Sequence, residues 1–457
     1  MGIGTRQGGL GVTRYLVAAG ADVTVTDLRD QDALKETLSD LQGLPIRYRL
    51  GEHVADDFVN ADVVVRNPGV PVESPWLTLA REHGASIEME MTLFFRACPA
   101  PIIGITGTKG KTTTSTLCAE ILSRHRADAV LAGNMGRSAL EALPRIQQDT
   151  PVVIELSSWQ LEGLGEHGLS PHIAVFTNIS PDHLNRYASM ETYLDAKLNI
   201  SRYQSVADWF IVNADDPIVW EHRGEGNGMP VAFSYRDAGH QGAFVEDGTL
   251  FWRYGNEDLE LIPEKELALR GRHNVMNALA ASAAALLAGA SPDNVRDGLR
   301  MAGGVPDRQE IVAELDGALF VNDTTATTPA AVYAALERFG DHPLVLIAGG
   351  SEKGVALEEM AATVASSVRT VLLLAGAATG QLQTLLAHAG AQDVRGPFDS
   401  MERAVEEARR AVEPGGVVLL SPGCASFGMF GDEFHRGQAF RDSVNLVRIQ
   451  AIGEERP

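Results

Sequence analysis

The stretch Ile105–Thr114, ITGTKGKTTT, constrains this chain more than any other. An apolar run enters it and a helical period leaves it, so it reads as a strand, a glycine-rich turn and a helix start. Gly107 and Gly110 permit tight turns in which successive backbone N–H groups face a phosphate. Thr108, Lys109 and Thr113 complete the cradle. Lys111 can reach terminal phosphates, and the Thr112 hydroxyl can hold Mg²⁺. The helix expected over Lys111–Arg124 packs through Leu117, Cys118, Ile121 and Leu122, and its positive end faces the anion. The loop departs from G-x-x-x-x-G-K-[ST], because Ile105 stands at the first glycine position. A motor, a kinase and a ligase can all begin from such a loop, so the rest of the chain has to decide.

At 457 residues the chain is too long for one ordinary core and suggests two to four domains. Its formal net charge of −22 argues against nonspecific binding to nucleic acid or to an anionic membrane. A few placed cations can still hold an anionic small molecule. Cys98, Cys118 and Cys424 are too far apart in sequence for a C-x-x-C pair, so a reducing cytoplasm is expected. No apolar run approaches the ~18 residues of a membrane span, and no secretory signal is visible. The Ala-rich stretch Ala278–Ala290 reads as a buried helix.

Short β-branched runs alternate with helical periods, which indicates α/β layers with mostly parallel sheets. Three blocks are expected: 1–92, 93–304 and 305–457. The first has a helix over Leu10–Ala19, with Leu10, Tyr15, Leu16 and Ala19 on one side, and strands over Asp22–Asp27 and Asp62–Arg66. Only Met1, Gly2 and Ile3 precede Gly4, so its first strand is expected to be truncated, with the natural start upstream. The second has strands over Pro151–Leu156, Ala174–Asn178 and Trp209–Asn213 and a helix over Asn274–Leu287. The third has strands near Leu319–Asn322, Leu344–Ala348, Val371–Leu374 and Val417–Leu420. The segment Ser189–Tyr203 reads as a helix capped by Ser189, with Tyr193, Leu194, Lys197 and Ile200 on one face. A lysine on that stripe must snorkel, pair or change its charge.

The loop variant T-G-[ST]-x-G-K-[ST] resembles the Mur ligase family, ATP-dependent amide-forming enzymes of peptidoglycan synthesis. Further stretches match in the same order: GN at Gly133, ELSSWQLE at Glu155, TNISPDHLNRY at Thr177, AKLNI at Ala196, RHNVMNALAA at Arg272, GVPDRQE at Gly304, VNDTTAT at Val321 and LLSPGCASFGMF at Leu419. The resemblance implies an α/β fold of three domains: a Rossmann-like N-terminal domain binding a UDP-sugar, a central P-loop ATPase-type domain, and a Rossmann-like C-terminal domain binding an amino acid. The stretches ELSSWQLE and SPGCASFGMF discriminate most within the family. They imply addition of glutamate, D-form preferred, to UDP-N-acetylmuramoyl-L-alanine through an acyl phosphate. A monomer without nucleic-acid or membrane partners is expected.

The resemblance also assigns residues. Thr112, Glu155, His183 and Lys197 would serve two Mg²⁺ ions, with Lys197 carbamylated by CO₂, and Lys111, His183 and Lys197 would be catalytic. Asn274, Arg308 and Asp323 would contact ATP. Gln7, Gly8, Asp27 and Arg29 would surround the uridine nucleotide, and Asn134, Gln160 and His183 would hold the inner part of the UDP-sugar. Thr327, Lys353, Ser426 and Phe427 would hold glutamate. Three departures stand out: Asn67 replaces a serine, Thr325 replaces the lysine of D-S-K-A-T, and Glu433 takes an aromatic position, with Phe434 one place later.

Other classes explain less. A signalling NTPase does not need three blocks with separate small-molecule features. A nicotinamide oxidoreductase is suggested by the glycines and by Asp27, about 20 residues on. It leaves Lys111, Thr112 and Lys197 without a role. A related ligase with another amino acid or acceptor remains the nearest alternative.

Overall fold

The computed structural model describes residues 1–4, 7–134, 138–182, 186–301, 307–352 and 355–454. His183 and Lys353, expected above in the metal and glutamate sites, lie outside the described residues, as does the side chain of Gln7. The chain divides into two compact units, Met1–Ala302 and Gly303–Pro457.

The first unit opens with the helix Gln7–Ala18 and two parallel pairs, β1 (Val23–Asp27) with β2 (Ile46–Leu50) and β3 (Val63–Val65) with β4 (Ser86–Glu88). Residues 1–4 run between these pairs: Gly2 N donates to Thr26 O at 2.7 Å, and the Met1 amine donates to Val65 O at 2.9 Å. Leu10 is buried as expected, but Ala19 lies past the helix end and is exposed.

A nine-stranded sheet forms the body of this unit. Its strands are β5 (Ile102–Thr106), β6 (Val130–Gly133), β7 (Val152–Glu155), β8 (Ile173–Phe176), β9 (Trp209–Asn213), β10 (Met229–Ser234), β11 (Gly242–Glu246), β12 (Thr249–Tyr254) and β13 (Glu257–Pro263). The spatial order is β13-β12-β11-β10-β9-β8-β5-β7-β6, parallel from β6 to β11 and antiparallel beyond. The central strands are apolar throughout because helices cover both faces. On one face the helix Lys111–His125 packs against Arg272–Leu287, whose alanine surface lets the two approach closely. On the other, Ser158–Glu166 packs against Met190–Arg202. The strand order reverses around β5, and ligands bind outside the carboxyl ends of strands at such a point.

In the second unit β14 (Glu310–Leu315), β15 (Ala318–Asn322), β16 (Leu344–Ala348), β17 (Thr370–Leu374), β18 (Val394–Phe398) and β19 (Val417–Leu420) form one sheet in the order β14-β15-β19-β16-β17-β18. Only the β14–β15 hairpin is antiparallel. Apolar clusters lie on both faces. Among the described residues, no helix is long and apolar enough to cross a membrane.

Candidate active site

The phosphate loop follows β5, and its backbone needs both glycines. Gly107 has φ +149°, and a Cβ there would stand 1.9 Å from Thr177 Oγ1. Gly110 has φ +83°, and a Cβ there would stand 2.4 Å from Asn277 Oδ1. The segment after β8 stitches the loop in place. Thr108 N donates to Asn178 O at 2.9 Å, Lys109 N to Asn178 Oδ1 at 2.9 Å, and Thr177 Oγ1 to Lys109 O at 2.7 Å. Thr108 Oγ1 accepts from Ser180 N at 3.0 Å. Lys111 opens the helix and folds back, donating to Gly107 O at 2.9 Å and Thr108 O at 3.0 Å. Thr112 and Thr113 occupy the next two positions, with Thr113 buried.

Glu155 ends β7, the strand beside β5. It is 2% exposed, yet Oε2 has no hydrogen-bond partner. Its Oε1 accepts from Asn134 Nδ2 at 3.1 Å. A buried carboxylate oxygen left unpaired costs free energy unless a cation meets it. No cluster of three Asp, Glu, His or Cys residues able to hold a metal occurs among the described residues. One carboxylate, the Thr112 hydroxyl and phosphate oxygens are nevertheless the hard oxygen donors that suit Mg²⁺.

Lys197 comes from the helix Met190–Arg202, where Ser189 makes a capping box with Thr192. It is 1% exposed. Nζ donates to Gly107 O at 2.8 Å and lies 4.8 Å over the Tyr193 ring. Burial, then the neighbouring Lys111 charge, push its pKa well below the usual lysine value, against smaller opposing effects of Asp182 and Glu155. Both causes work against the charged ammonium and favour the neutral amine relative to an ordinary lysine.

The remaining residues expected in the site fall in three places. Asn274 stands on the helix beside the loop and accepts from Asn277 Nδ2 at 3.3 Å, so it connects to Gly110 through Asn277. Gln160 is buried, and its Oε1 accepts from Ser157 N at 2.9 Å in the cap of its own helix. Gln7 opens the first helix, and Gly8 packs so closely that a Cβ would stand 2.8 Å from Glu90 Oε2. Asp27 ends β1. Burial works to raise its pKa, but hydrogen bonds from the Arg29 side chain and from the backbone N–H groups of Arg29 and Gly4 outweigh it and hold the carboxylate low.

The second unit brings Arg308 and Asp323 together. Arg308 is exposed, and its charge acts on Asp323. Asp323 is 3% exposed and accepts from Gln309 N at 3.1 Å and Ser421 Oγ at 2.8 Å. Burial pushes its carboxyl up to about 7. Ser426 is buried, Phe427 is exposed, and the Phe427 carbonyl accepts from Ser351 Oγ. Thr327 N donates to Thr325 O at 2.9 Å. Sequence reasoning missed Thr177, Asn178 and Asn277 as supports of the loop. The one available signal was Asn277 lying one helical turn from Asn274.

Comparison with known proteins places this geometry. Three family models match successive parts of the chain: the MurD-like N-terminal domain of Mur ligases over residues 1–88, the Mur ligase middle domain over 105–285, and the Mur ligase glutamate ligase domain over 307–424. The UDP-N-acetylmuramoylalanine–D-glutamate ligase of Roseiflexus sp. (strain RS-1) is 51% identical over 453 residues, covering 97% of each chain. The enzyme of that name from Symbiobacterium thermophilum is 40% identical, covering 98% of this chain and 97% of its own. Among solved structures, the UDP-N-acetylmuramate–alanine ligase of Thermotoga maritima has a TM-score of 0.60 at 22% identity, covering 98% of this chain and 97% of its own, a likeness of fold.

Proposed function

The chain belongs to the Mur ligase family, and from that premise we propose that it joins D-glutamate to UDP-N-acetylmuramoyl-L-alanine, with ATP converted to ADP and phosphate. The observation that carries this reading furthest is the buried Lys197, whose Nζ touches the carbonyl of Gly107. A motor or signalling NTPase has no use for a shielded amine against its phosphate loop.

The γ-phosphoryl group passes to the substrate carboxylate, forming a new P–O bond as the bond to ADP breaks. The amine of glutamate attacks the acyl carbon and loses a proton, and inorganic phosphate leaves with the electron pair. The protein's share is to hold two anions together and to orient them. The loop glycines turn N–H groups toward the phosphates, and Lys111 offsets their charge. Glu155 and Thr112 would hold Mg²⁺, which neutralises charge between phosphate and carboxylate when bound. Burial and the Lys111 charge lower the pKa of the Lys197 amine, which favours the neutral form that adds CO₂, and its carbamate would present an anion toward a second Mg²⁺. His183 joins that metal site by resemblance.

Gln7, Gly8, Asp27 and Arg29 fit the uridine nucleotide, with Asn134, Gln160 and His183 further along the same substrate. Asn274, Arg308 and Asp323 fit ATP. Thr327, Lys353, Ser426 and Phe427 fit the incoming glutamate. The domain limits 1–92, 93–304 and 305–457 and a cytoplasmic monomer complete the proposal.

Phosphate release coupled to D-glutamate, L-glutamate and other amino acids in parallel tests it. Turnover is expected only with ATP, the UDP-sugar and D-glutamate together. With ¹⁸O in the acceptor carboxylate, one label should appear in the released phosphate. Turnover without that transfer refutes the acyl phosphate.

A further inference from the structure

The turn that carries Arg308 is built unlike an ordinary linker. Asp307 has φ +65° and Gln309 has φ +48°, so both residues flanking Arg308 are left-handed without being glycine. Such backbone persists only where surrounding contacts over-determine it. Here the contacts are visible. The Asp307 carbonyl accepts from Thr325 N at 3.1 Å and Thr325 Oγ1 at 2.9 Å. Asp307 N donates to Glu310 Oε2 at 2.8 Å. The two carboxylates share donors: Asn322 Nδ2 lies 3.0 Å from Asp307 Oδ1 and 3.2 Å from Glu310 Oε2, and Arg441 Nη1 lies 3.0 Å and 2.7 Å from the same oxygens.

The C-terminal helix Glu433–Glu454 is shaped for this contact. Gly437 and Arg441 lie one turn apart on the face toward the turn. A Cβ at Gly437 would stand 2.0 Å from Asp307 Oδ1, so a glycine is needed for the helix to come this close. The Asp307 side chain is 8% exposed, Glu310 19% and Arg441 23%. Arg308 itself is exposed. The cluster therefore fixes the backbone on both sides of Arg308.

We propose that Arg441 is a positioning residue for nucleotide binding: clamped on Asp307 and Glu310, it holds the strained turn that presents Arg308 to ATP. This rests on the reading of Arg308 as an ATP contact. Arg441 touches no substrate in this scheme and acts through Arg308 alone. A guanidinium suits the role because one planar fork can bond both carboxylates at once.

The test uses steady-state kinetics of the full-length protein with ATP, the UDP-sugar and D-glutamate varied in turn. Arg441→Met should raise KM for ATP about tenfold, leaving the other two KM values and kcat at saturating ATP within about twofold. Asp307→Asn should shift KM for ATP in the same direction, and Arg441→Lys should recover part of the loss. Arg308→Ala should also raise KM for ATP, and adding Arg441→Met to it should cost nothing more, because both act on one contact. An ATP KM unchanged in Arg441→Met while Arg308→Ala raises it overturns the clamp and leaves the ATP contact standing. Multiplying losses in the double variant, or equal rises in all three KM values, also overturn it. No effect of Arg308→Ala removes the ATP contact, and the inference with it. If Arg441→Met does not fold, Asp307→Asn decides by the same criteria.

Discussion

Replacing Lys197 separates what this side chain does for the fold from what it does for chemistry. Lys197→Met keeps the length and apolar stem but removes the amine. The fold loses the hydrogen bond to Gly107 O at 2.8 Å and a longer one to Thr106 Oγ1 at 3.4 Å, each worth about 0.5–1.5 kcal/mol net. Against this, methionine removes the cost of charging a buried amine. The folded pKa lies well below the ordinary 10.5, so between the two values the unfolded chain binds more protons than the folded one. Stability of the wild type must therefore rise with pH through that window, by up to about 1.4 kcal/mol per unit for one proton. The penalty is complete below the folded pKa and vanishes as pH passes 10.5. Urea unfolding between about pH 7 and 10 in CO₂-free buffer should show this slope in the wild type, and Lys197→Met should flatten it. Turnover should fall by roughly 10²–10³-fold, the scale of losing one preorganised electrostatic group. Lys197→Ala should lose as much, but it opens a space beside Gly107, so formate or acetate should restore part of its rate. Methionine fills that space and should not respond. Parallel stability–pH lines for wild type and Lys197→Met, or a variant with near-normal turnover, would refute the argument.

Three further outcomes follow, each from a single substitution. Gly107→Ala should abolish ATP-dependent turnover and lower the thermal midpoint, because the new Cβ meets Thr177 Oγ1 at 1.9 Å in a backbone that only glycine adopts easily; normal activity would mean the loop is shaped otherwise. Glu155→Gln should raise the half-saturating Mg²⁺ concentration at least about tenfold, as loss of one ligand charge does, while thermal stability holds or improves, since the unpartnered Oε2 carries no native hydrogen bond; a Mg²⁺ titration and a melting curve read both. Asp323 is lifted by burial from 3.8 to about 7. Across that window the folded state keeps a proton that the unfolded state loses, so stability falls as pH rises, by about 1.4 kcal/mol per unit. Asp323→Asn should remove that fall, and denaturation at about pH 4 and pH 8 is the measurement.

The elements nearest the chemistry were the most legible in sequence. The strand, glycine turn and helix around Gly107 are local devices, each set by its own residues, and the period of Tyr193, Leu194, Lys197 and Ile200 puts the lysine on the inward stripe while leaving open whether it snorkels, pairs or changes its charge. The Ser189 cap was visible for the same reason. Legibility ended where pairing is long-range. Strands β11 to β13 extend the central sheet with antiparallel partners, but their exposed, charged stretches, such as Glu257–Glu260, carry no helical or buried-strand period. Asn178 and Thr177 support the phosphate loop from about 70 residues away; the stretch that begins with them matches the family, but its local pattern does not show which loop they hold. Gln160 shows the converse: the sequence marks it as a ligand for substrate, and the fold also uses its Oε1 as the cap of its helix.

Thr325 draws the two halves of the C-terminal unit's task together. Read as sequence, it is a lysine lost from the pocket for a dicarboxylate. In the structure its amide and hydroxyl both hold the Asp307 carbonyl, and neighbouring Thr324 is engaged on both sides, accepting from Arg436 Nε at 3.0 Å and donating to Glu433 O at 2.8 Å. Arg436, buried and bonded also to Cys424 O, ties this loop to the strand-end segment that carries Ser426. The loop 323–327 is thus a joint between the Arg308 turn and the Ser426 segment. A residue at 325 acts on the turn's shape before it acts on any ligand, since a long lysine cannot make the short Oγ1 bond that secures Asp307. A lysine absent from this loop therefore does not imply a missing substrate. It marks a position where this chain has given a side chain to backbone geometry.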